Sequence, residues 1–196
     1  YNEFDKAGLE VVVSAPRAIP LPIDFTSIKL ADKESLNFLT NGKKRTILNS
    51  AISLNDAKKE NFDAIYLVGG HGVMWDFANN KDLKHILLKM NEERSIISGV
   101  CHGPAGLVNV KDKNGKSIIN GVNLTGFSNT EEKTIKLTSI VPFSLENELV
   151  KSGAIYSQAK KDFEEYLVVD ENFITGQNPE SARAVAKEVV RKIKAK

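Results

Sequence analysis

Residues 95–107 read Ser-Ile-Ile-Ser-Gly-Val-Cys-His-Gly-Pro-Ala-Gly-Leu, and this stretch decides the fold expected for the rest of the chain. The apolar residues 96–100 predict a buried strand, and the small residues from Ala105 onward predict a helix. Between them lies Cys101, the only cysteine in the sequence, followed by His102 and a Gly-Pro pair. The stretch therefore predicts a strand, a sharp turn and a helix, with a thiol at the apex of the turn.

A thiol at such a turn has two interpretations. The apex projects above the carboxyl edge of a parallel sheet, where α/β folds bind their ligands. The first N–H groups of the following helix also favour a thiolate or an oxyanion beside it. A lone cysteine is, however, more commonly a small buried hydrophobic residue. The local pattern fits Cys101 equally well as a nucleophile and as an inert buried thiol.

The composition is that of an ordinary soluble globular protein. The chain has 196 residues, 41% of them hydrophobic and 27% charged, which suits one domain with a sizeable core. Its 27 basic residues are interspersed with 25 acidic ones, which argues against a nucleic-acid surface. One cysteine forms no internal disulfide, and there is no leader pattern or long apolar run. We expect a cytoplasmic protein without a nucleic-acid or membrane partner.

Predicted strands alternate with predicted helices along the chain, which favours an α/β fold with a doubly wound, mostly parallel sheet between helices. We see no internal repeat or second-domain boundary. Besides 96–100, the predicted strands are 10–15, 62–68, 154–156, 166–169 and 173–175, with a hairpin or strand pair in 117–127. The predicted helices are 80–94, 105–108, 128–137, 142–153 and 178–193, with short helices in 31–61 that break near 41–42 and a surface loop over 16–30.

Three further groups of polar residues are candidates for a site. The loop 69–72, Gly-Gly-His-Gly, is either a plain strand-to-helix turn or a source of backbone N–H groups for a bound group. Neither the P-loop nor the dinucleotide spacing is present, which argues against phosphate binding. Glu131 and Glu132 are either a favourable helix start or the carboxylate of a catalytic group. His85 is expected at the surface or its boundary rather than as a ligand.

Five motifs, occurring in one order, resemble the ThiJ/PfpI superfamily. The resemblance runs from about residue 1 to 190 and is greatest to the small heat-shock-chaperone and glutathione-independent glyoxalase branch. It implies a flavodoxin-like fold related to class I glutamine amidotransferases. The motifs are Val-Gly-Gly-His-Gly at 68–72, Gly-Val-Cys-His-Gly-Pro-Ala at 99–105, Thr-Gly-Phe-Ser at 125–128, Val-Pro-Phe-Ser-Leu-Glu at 141–146 and Ile-Thr-Gly-Gln-Asn-Pro-Glu-Ser-Ala at 174–182.

The resemblance also implies a set of site residues. The nucleophile of the family maps onto Cys101, its histidine onto His102, and its acid onto Glu132, which follows the Gly-Phe pair by five residues. Glu131 is the alternative acid. The oxyanion donors map onto the backbone N–H groups of Gly70 and His102. No metal or organic cofactor is expected.

The N-terminus departs from the family pattern. In relatives, a central first strand precedes the segment that matches residues 1–8, and that region carries a glutamate bonded to the cysteine. This sequence has no residue to take that role. We therefore expect residues 1–196 to be a single, N-terminally truncated domain that lacks this first strand.

Three functions follow from the resemblance. The first is a glyoxalase that converts methylglyoxal-like 2-oxoaldehydes to 2-hydroxy acids without glutathione, as a homodimer with a small aldehyde substrate. The second is a stress-response holdase chaperone with unfolded-protein clients, or a redox sensor with an exposed thiol of low pKa. The third is a peptidase or amidase. Against this function, nothing in the sequence indicates a peptide-binding groove.

Overall fold

The computed structural model describes residues 1–17, 21, 23, 25–29 and 32–195. The chain divides into two compact units, Tyr1–Leu9 with Asn61–Lys196 as the larger and Glu10–Glu60 as the smaller. The expectation of a single domain remains a prediction. Across the described stretches, no helix combines the length and the apolar character needed to cross a lipid bilayer.

The secondary structure alternates helices and strands for most of the chain. Within the described residues, 3₁₀ turns also lie at Gly103–Leu107 and Pro179–Ser181. The strands are β1 (Ser14–Ala15), β2 (Ile52–Ser53), β3 (Ala64–Leu67), β4 (Ile96–Val100), β5 (Asn123–Leu124), β6 (Ile155–Tyr156), β7 (Leu167–Asp170) and β8 (Phe173–Gly176). The helices are α1 (Asn2–Lys6), α2 (Phe25–Lys29), α3 (Lys33–Thr40), α4 (Gly42–Asn49), α5 (Leu54–Ala57), α6 (Val73–Asp76), α7 (Lys81–Glu92), α8 (Asn129–Thr134), α9 (Leu145–Lys151) and α10 (Ala182–Lys194).

The main sheet of the larger unit has the strand order β3-β4-β8-β7 over the described residues. Strands β3, β4 and β8 are parallel, and β7 is antiparallel to β8 at the edge, which confirms the mostly parallel α/β sheet. Leu67 pairs with Gly99, and Val100 pairs with Gly176. The residues that follow β3, β4 and β8 therefore meet at one carboxyl edge of the sheet.

Helices cover both faces of this sheet. All five residues of β4 are buried, as expected for a central strand between two layers. On one face, strand and helix side chains form a single apolar cluster of Ile96, Ile174, Val185 and Val189. On the other face, the side chains of Leu67 and Leu83 both approach Gly106. The sheet is thus packed between α10 and α7, and this packing fixes the position of its carboxyl edge.

Several helix predictions are confirmed with their capping residues. Asn80 accepts hydrogen bonds from the first turn of α7, and Asn41 separates α3 from α4 as the break predicted there. The helix after Cys101 differs, because residues 103–107 form a 3₁₀ turn and Val108 is already extended. The run of small residues with two glycines and a proline provides too few favourable helix formers to extend this turn into an α-helix.

Three strand and loop predictions are wrong in part. The predicted hairpin or strand pair at 117–127 contains one strand, β5, which pairs in parallel with β6, some thirty residues further along the chain. Ser117 forms only an isolated antiparallel bridge with Lys111. The predicted strand at 10–15 is reduced to β1, because its partner β2 has only two residues. The predicted loop at 16–30 includes α2, while residues 18–20, 22, 24 and 30, among them Pro20 and Pro22, lie outside the described residues.

Candidate active site

Cys101 occupies a strained turn at the carboxyl end of β4. Its φ angle is 59°, in the left-handed region that residues other than glycine rarely adopt. Its backbone N–H donates to the carbonyl of Gly176 at 3.0 Å, and its carbonyl accepts from the N–H of Phe127 at 2.9 Å. These two bonds hold the strained residue in place, so the thiol stands at the sheet edge as the sequence predicts.

A linear chain of three side chains begins at this thiol. The sulfur of Cys101 lies 3.3 Å from Nδ1 of His102, and Nε2 of the same ring lies 2.8 Å from Oε2 of Glu132. A carboxylate only accepts hydrogen bonds, so Nε2 of His102 carries a proton and donates. In the neutral ring, Nδ1 is then the acceptor that faces the S–H group. The arrangement has the geometry of a nucleophile, its base and the acid that orients the base.

The two neighbouring glutamates have different surroundings. Glu131 is fully buried and forms a capping box with Ser128, which donates to it through both its backbone N–H and its hydroxyl group. Its other oxygen accepts from the backbone N–H of Phe163 and from the side-chain amide of Asn178. Glu132, by contrast, faces His102. The geometry therefore favours Glu132 over Glu131 as the acid of the chain.

A second histidine shares the carboxylate of Glu132. Nε2 of His71 lies 2.9 Å from Oε1, the oxygen that His102 does not use, and the two imidazole centroids are 4.2 Å apart. The pattern at 69–72 predicts a role for the backbone of the loop, and the role of the His71 side chain was not predicted from the sequence. The loop follows β3, next to the strand that ends at Cys101, and this position indicates that His71 is near the cysteine turn but not that it contacts Glu132.

The thiol is protonated at neutral pH in this environment. Cys101 is only 8% exposed, and burial raises the pKa of its thiol to about 11, while Glu131 and Glu132 act in the same direction. Hydrogen bonds from the backbone N–H groups of Gly70 and His102 oppose this rise in pKa. The prediction of an exposed thiol with a low pKa is therefore wrong. The thiol is buried, and burial raises its pKa more than the two N–H donors lower it.

The same two N–H groups are the predicted oxyanion donors. Both residues form backbone hydrogen bonds with the Cys101 thiol, Gly70 from the loop after β3 and His102 from the turn after β4. Gly70 has a φ of 101°, a conformation that favours glycine. Both groups can therefore point at an oxygen that forms on a carbon bonded to the sulfur. Their role as an oxyanion hole remains a prediction.

The ring of His102 is enclosed between aromatic neighbours. It is fully buried, with its centroid 4.4 Å from that of Phe127 and 4.2 Å from that of His71. Burial lowers the pKa of His102, although its hydrogen bond to Glu132 raises it in part. The lowered pKa favours the neutral form of His102, in which Nδ1 carries no proton and faces the thiol.

Three of these side chains are also possible metal ligands. His71, His102 and Glu132 each offer one ligand atom, and these atoms lie within 4.8 Å of one another. The third histidine, His85, is exposed on α7, which confirms the surface position expected for it.

The chain matches the DJ-1/PfpI family over residues 2–192 and belongs to that family. This confirms the resemblance drawn from the five motifs. The match extends from the first helix to the last, so the family assignment rests on nearly the whole chain and not on the cysteine turn alone.

Two curated relatives are named as glyoxalases. Glyoxalase 3 of Candida albicans is 30% identical over 164 residues, which cover 81% of this chain and 69% of the relative. Glutathione-independent glyoxalase HSP31 of Saccharomyces cerevisiae is 29% identical over 136 residues, covering 67% of this chain and 57% of the relative. The X-ray structure of Rapid Encystment Protein 24 KDa from Francisella tularensis is 41% identical, with a TM-score of 0.86 and coverage of 94% of this chain and 81% of that one. The name of this third protein specifies no reaction.

Proposed function

We propose that this protein is a cysteine-dependent glyoxalase that converts small 2-oxoaldehydes such as methylglyoxal into 2-hydroxy acids without glutathione. The observation that carries the proposal is the continuous chain from the Cys101 sulfur through His102 to Glu132, set beside two backbone N–H groups. Two family relatives named as glyoxalases support the choice of reaction. In this proposal the thiol of Cys101 itself adds to the aldehyde.

The first step is addition of the thiol to the aldehyde carbon. Since Cys101 holds its proton at neutral pH, sulfur attacks as Nδ1 of His102 accepts that proton, and a C–S bond replaces the carbonyl π bond. The negative charge that develops on the aldehyde oxygen is stabilised by the N–H groups of Gly70 and His102. Return of the proton to this oxygen gives a hemithioacetal and neutral His102.

The second step moves a hydrogen between the two carbons of the substrate. His102 removes the proton from the carbon bonded to sulfur, and the electron pair forms an enediolate. The protonated His102 then gives this proton to the adjacent carbon, while the hydroxyl proton of the hemithioacetal moves to the former ketone oxygen. The former aldehyde carbon becomes a thioester carbonyl while the former ketone becomes an alcohol. No external oxidant or reductant is required, because one carbon is oxidised as the other is reduced.

The last step is hydrolysis of the thioester. Water adds to the thioester carbonyl as Nδ1 of His102 accepts one of its protons, and the same two N–H groups stabilise the tetrahedral oxyanion. The C–S bond then breaks to release the 2-hydroxy acid. The sulfur regains its proton from His102. Overall, one 2-oxoaldehyde and one water give one 2-hydroxy acid, and Cys101 returns to its starting state.

The proposal is tested by following lactate formation from methylglyoxal in a buffer that contains a chelator and no glutathione. We expect steady formation of lactate by the wild-type protein, none above background by Cys101→Ala, and unchanged turnover by the control His85→Gln, which lies on the exposed face of α7. Undiminished turnover by Cys101→Ala would refute the mechanism.

The same assay separates the alternatives. An absence of lactate, together with suppression of client aggregation by both the wild type and Cys101→Ala, would favour the holdase chaperone. Cleavage of a peptide or amide substrate that depends on Cys101 would favour the third function. The homodimer and the cytoplasmic location remain predictions; sedimentation velocity measures the first of these.

A further inference from the structure

The shared carboxylate of Glu132 brings together the donor set of a transition-metal site. Nε2 of His71 and Nε2 of His102 approach opposite oxygens of one carboxyl group, at 2.9 Å and 2.8 Å. Two imidazoles and one carboxylate with an open position are a common ligand set for Zn²⁺ and neighbouring divalent metals. The described residues thus bring these three ligands together at the Glu132 end of the buried chain of side chains.

The spacing of the three ligand atoms suits a small ion. Metal–nitrogen and metal–oxygen bonds of about 2.0–2.2 Å place tetrahedral ligand atoms about 3.3 Å apart. The three atoms already lie within 4.8 Å of one another. Moderate rotation of side chains is therefore enough to replace the two N–H···O hydrogen bonds by three bonds to a metal. Each imidazole must release or relocate its Nε2 proton as the ion binds.

The site has an accessible side. The side chain of His71 is 34% exposed, whereas that of His102 is fully buried and that of Glu132 is 10% exposed. An ion can reach the cluster from the solvent beside His71 and complete its coordination with water there. Cys101 lies beyond the other ring nitrogen of His102 and is not needed as a ligand.

We propose that His71, His102 and Glu132 form a binding site for a divalent transition metal such as Zn²⁺, and that its occupation ends the role of His102 as the base for Cys101. A neutral imidazole bound to metal through Nε2 carries its single N–H on Nδ1. Nδ1 of His102 is the atom that faces the sulfur, so it can no longer accept the thiol proton. Metal binding and base function of His102 therefore exclude each other.

Calorimetric titration with ZnCl₂ tests the site without any assay of activity. We expect one Zn²⁺ per chain for the wild type, and the same affinity within about threefold for His85→Gln, the matched histidine control. His71→Gln retains an N–H donor for Glu132 but loses the imidazole ligand, and we expect at least about a 30-fold loss of affinity. Circular dichroism checks that each variant is folded.

A second variant separates this site from binding at the thiol. Cys101→Ser is expected to bind Zn²⁺ as tightly as the wild type, because the sulfur is not a ligand. Loss of binding in Cys101→Ser, wild-type affinity in His71→Gln, or no binding by the wild type would each overturn the proposal.

The consequence for the thiol is measured by its rate of alkylation with iodoacetamide. Saturating Zn²⁺ is expected to speed alkylation of Cys101 at pH 7 at least about tenfold in the wild type, because the new Nδ1–H donor of His102 and the nearby cation both favour the thiolate, and to have little effect in His71→Gln. Removal of the metal by a chelator should restore the original rate. An unchanged rate in metal-saturated wild type would show that the ion does not act on His102. The inhibition of lactate formation rests on the proposed function, whereas the calorimetric and alkylation results do not.

Discussion

Gly69 lies so close to Cys101 that a Cβ atom at residue 69 would be 2.7 Å from the Cβ atom of the cysteine and 3.3 Å from its sulfur. Such an atom would also be 3.0 Å from the carbonyl oxygen of Val100. The first glycine of the loop is therefore required by contact with the cysteine turn and not by its own backbone angles.

Gly69→Ala is expected to displace the loop from the sulfur. Overpacking of this kind costs about 1–3 kcal/mol of unfolding free energy, measured by urea denaturation. Turnover of methylglyoxal should fall up to about 100-fold, because the N–H of Gly70 moves with the loop. Gly72→Ala is the matched control, since a Cβ there has no neighbour within 4 Å and we expect stability within about 0.5 kcal/mol of wild type. Equal behaviour of the two variants would contradict the prediction.

Gly103→Ala is expected to damage the fold itself. A Cβ atom at residue 103 would lie 2.2 Å from the carbonyl oxygen of Leu67, a backbone atom of the neighbouring strand that cannot move aside freely. We expect a loss of at least about 3 kcal/mol of unfolding free energy, or failure to accumulate as folded protein. Thermal unfolding followed by circular dichroism measures it, and a melting temperature equal to that of wild type would show that the turn relaxes more easily than its contacts suggest.

The two glutamates are expected to separate stability from activity. In the wild type, backbone N–H groups donate to the carboxylate oxygens of Glu131. Glu131→Gln places an NH₂ group against some of these donors, so we expect the unfolding free energy measured in urea to fall by about 2–4 kcal/mol. Glu132→Gln should leave stability within about 1–2 kcal/mol of wild type but lower kcat about 100-fold or more, because the orienting acid of His102 is gone. Reversal of these two results would assign the catalytic acid to Glu131.

The pH dependence of alkylation tests the protonation state of Cys101. Burial raises the pKa of this thiol to about 11, so its thiolate fraction is small at pH 7 and grows about tenfold with each pH unit below that pKa. In chelator-treated protein we therefore expect the iodoacetamide rate to keep rising from pH 7 to pH 9. A rate that reaches its plateau near pH 7 would indicate a stable thiolate and remove the need for His102 as base in the first step.

Much of the candidate site could be predicted because its key residues lie in short local patterns. The strand that ends at Cys101 is a run of apolar residues, and Ser128 with Glu131 forms a capping box that is visible in the sequence. The order of parallel strands then brings the ends of β3, β4 and β8 to one edge.

The features that were missed depend on distant partners. His71 and Glu132 are 61 residues apart in the sequence, and no periodicity indicates that the histidine turns toward this particular carboxylate. The pairing of β5 with β6 likewise depends on a partner well beyond the local turn, so the segment 117–127 resembles a hairpin when taken alone. The raised pKa of Cys101 depends on burial by the folded chain, which a strand-and-turn pattern does not specify.

The two backbone hydrogen bonds of Cys101 fix the position of this residue whatever side chain it carries. Gly176 and Phe127 hold the peptide groups of this residue and make no demand on its side chain. A serine, an alanine or a cysteine with a modified sulfur would therefore lie at the same position in this turn. Proteins that share this turn can therefore differ in activity through substitution of side chains alone, because the backbone of the site stays the same.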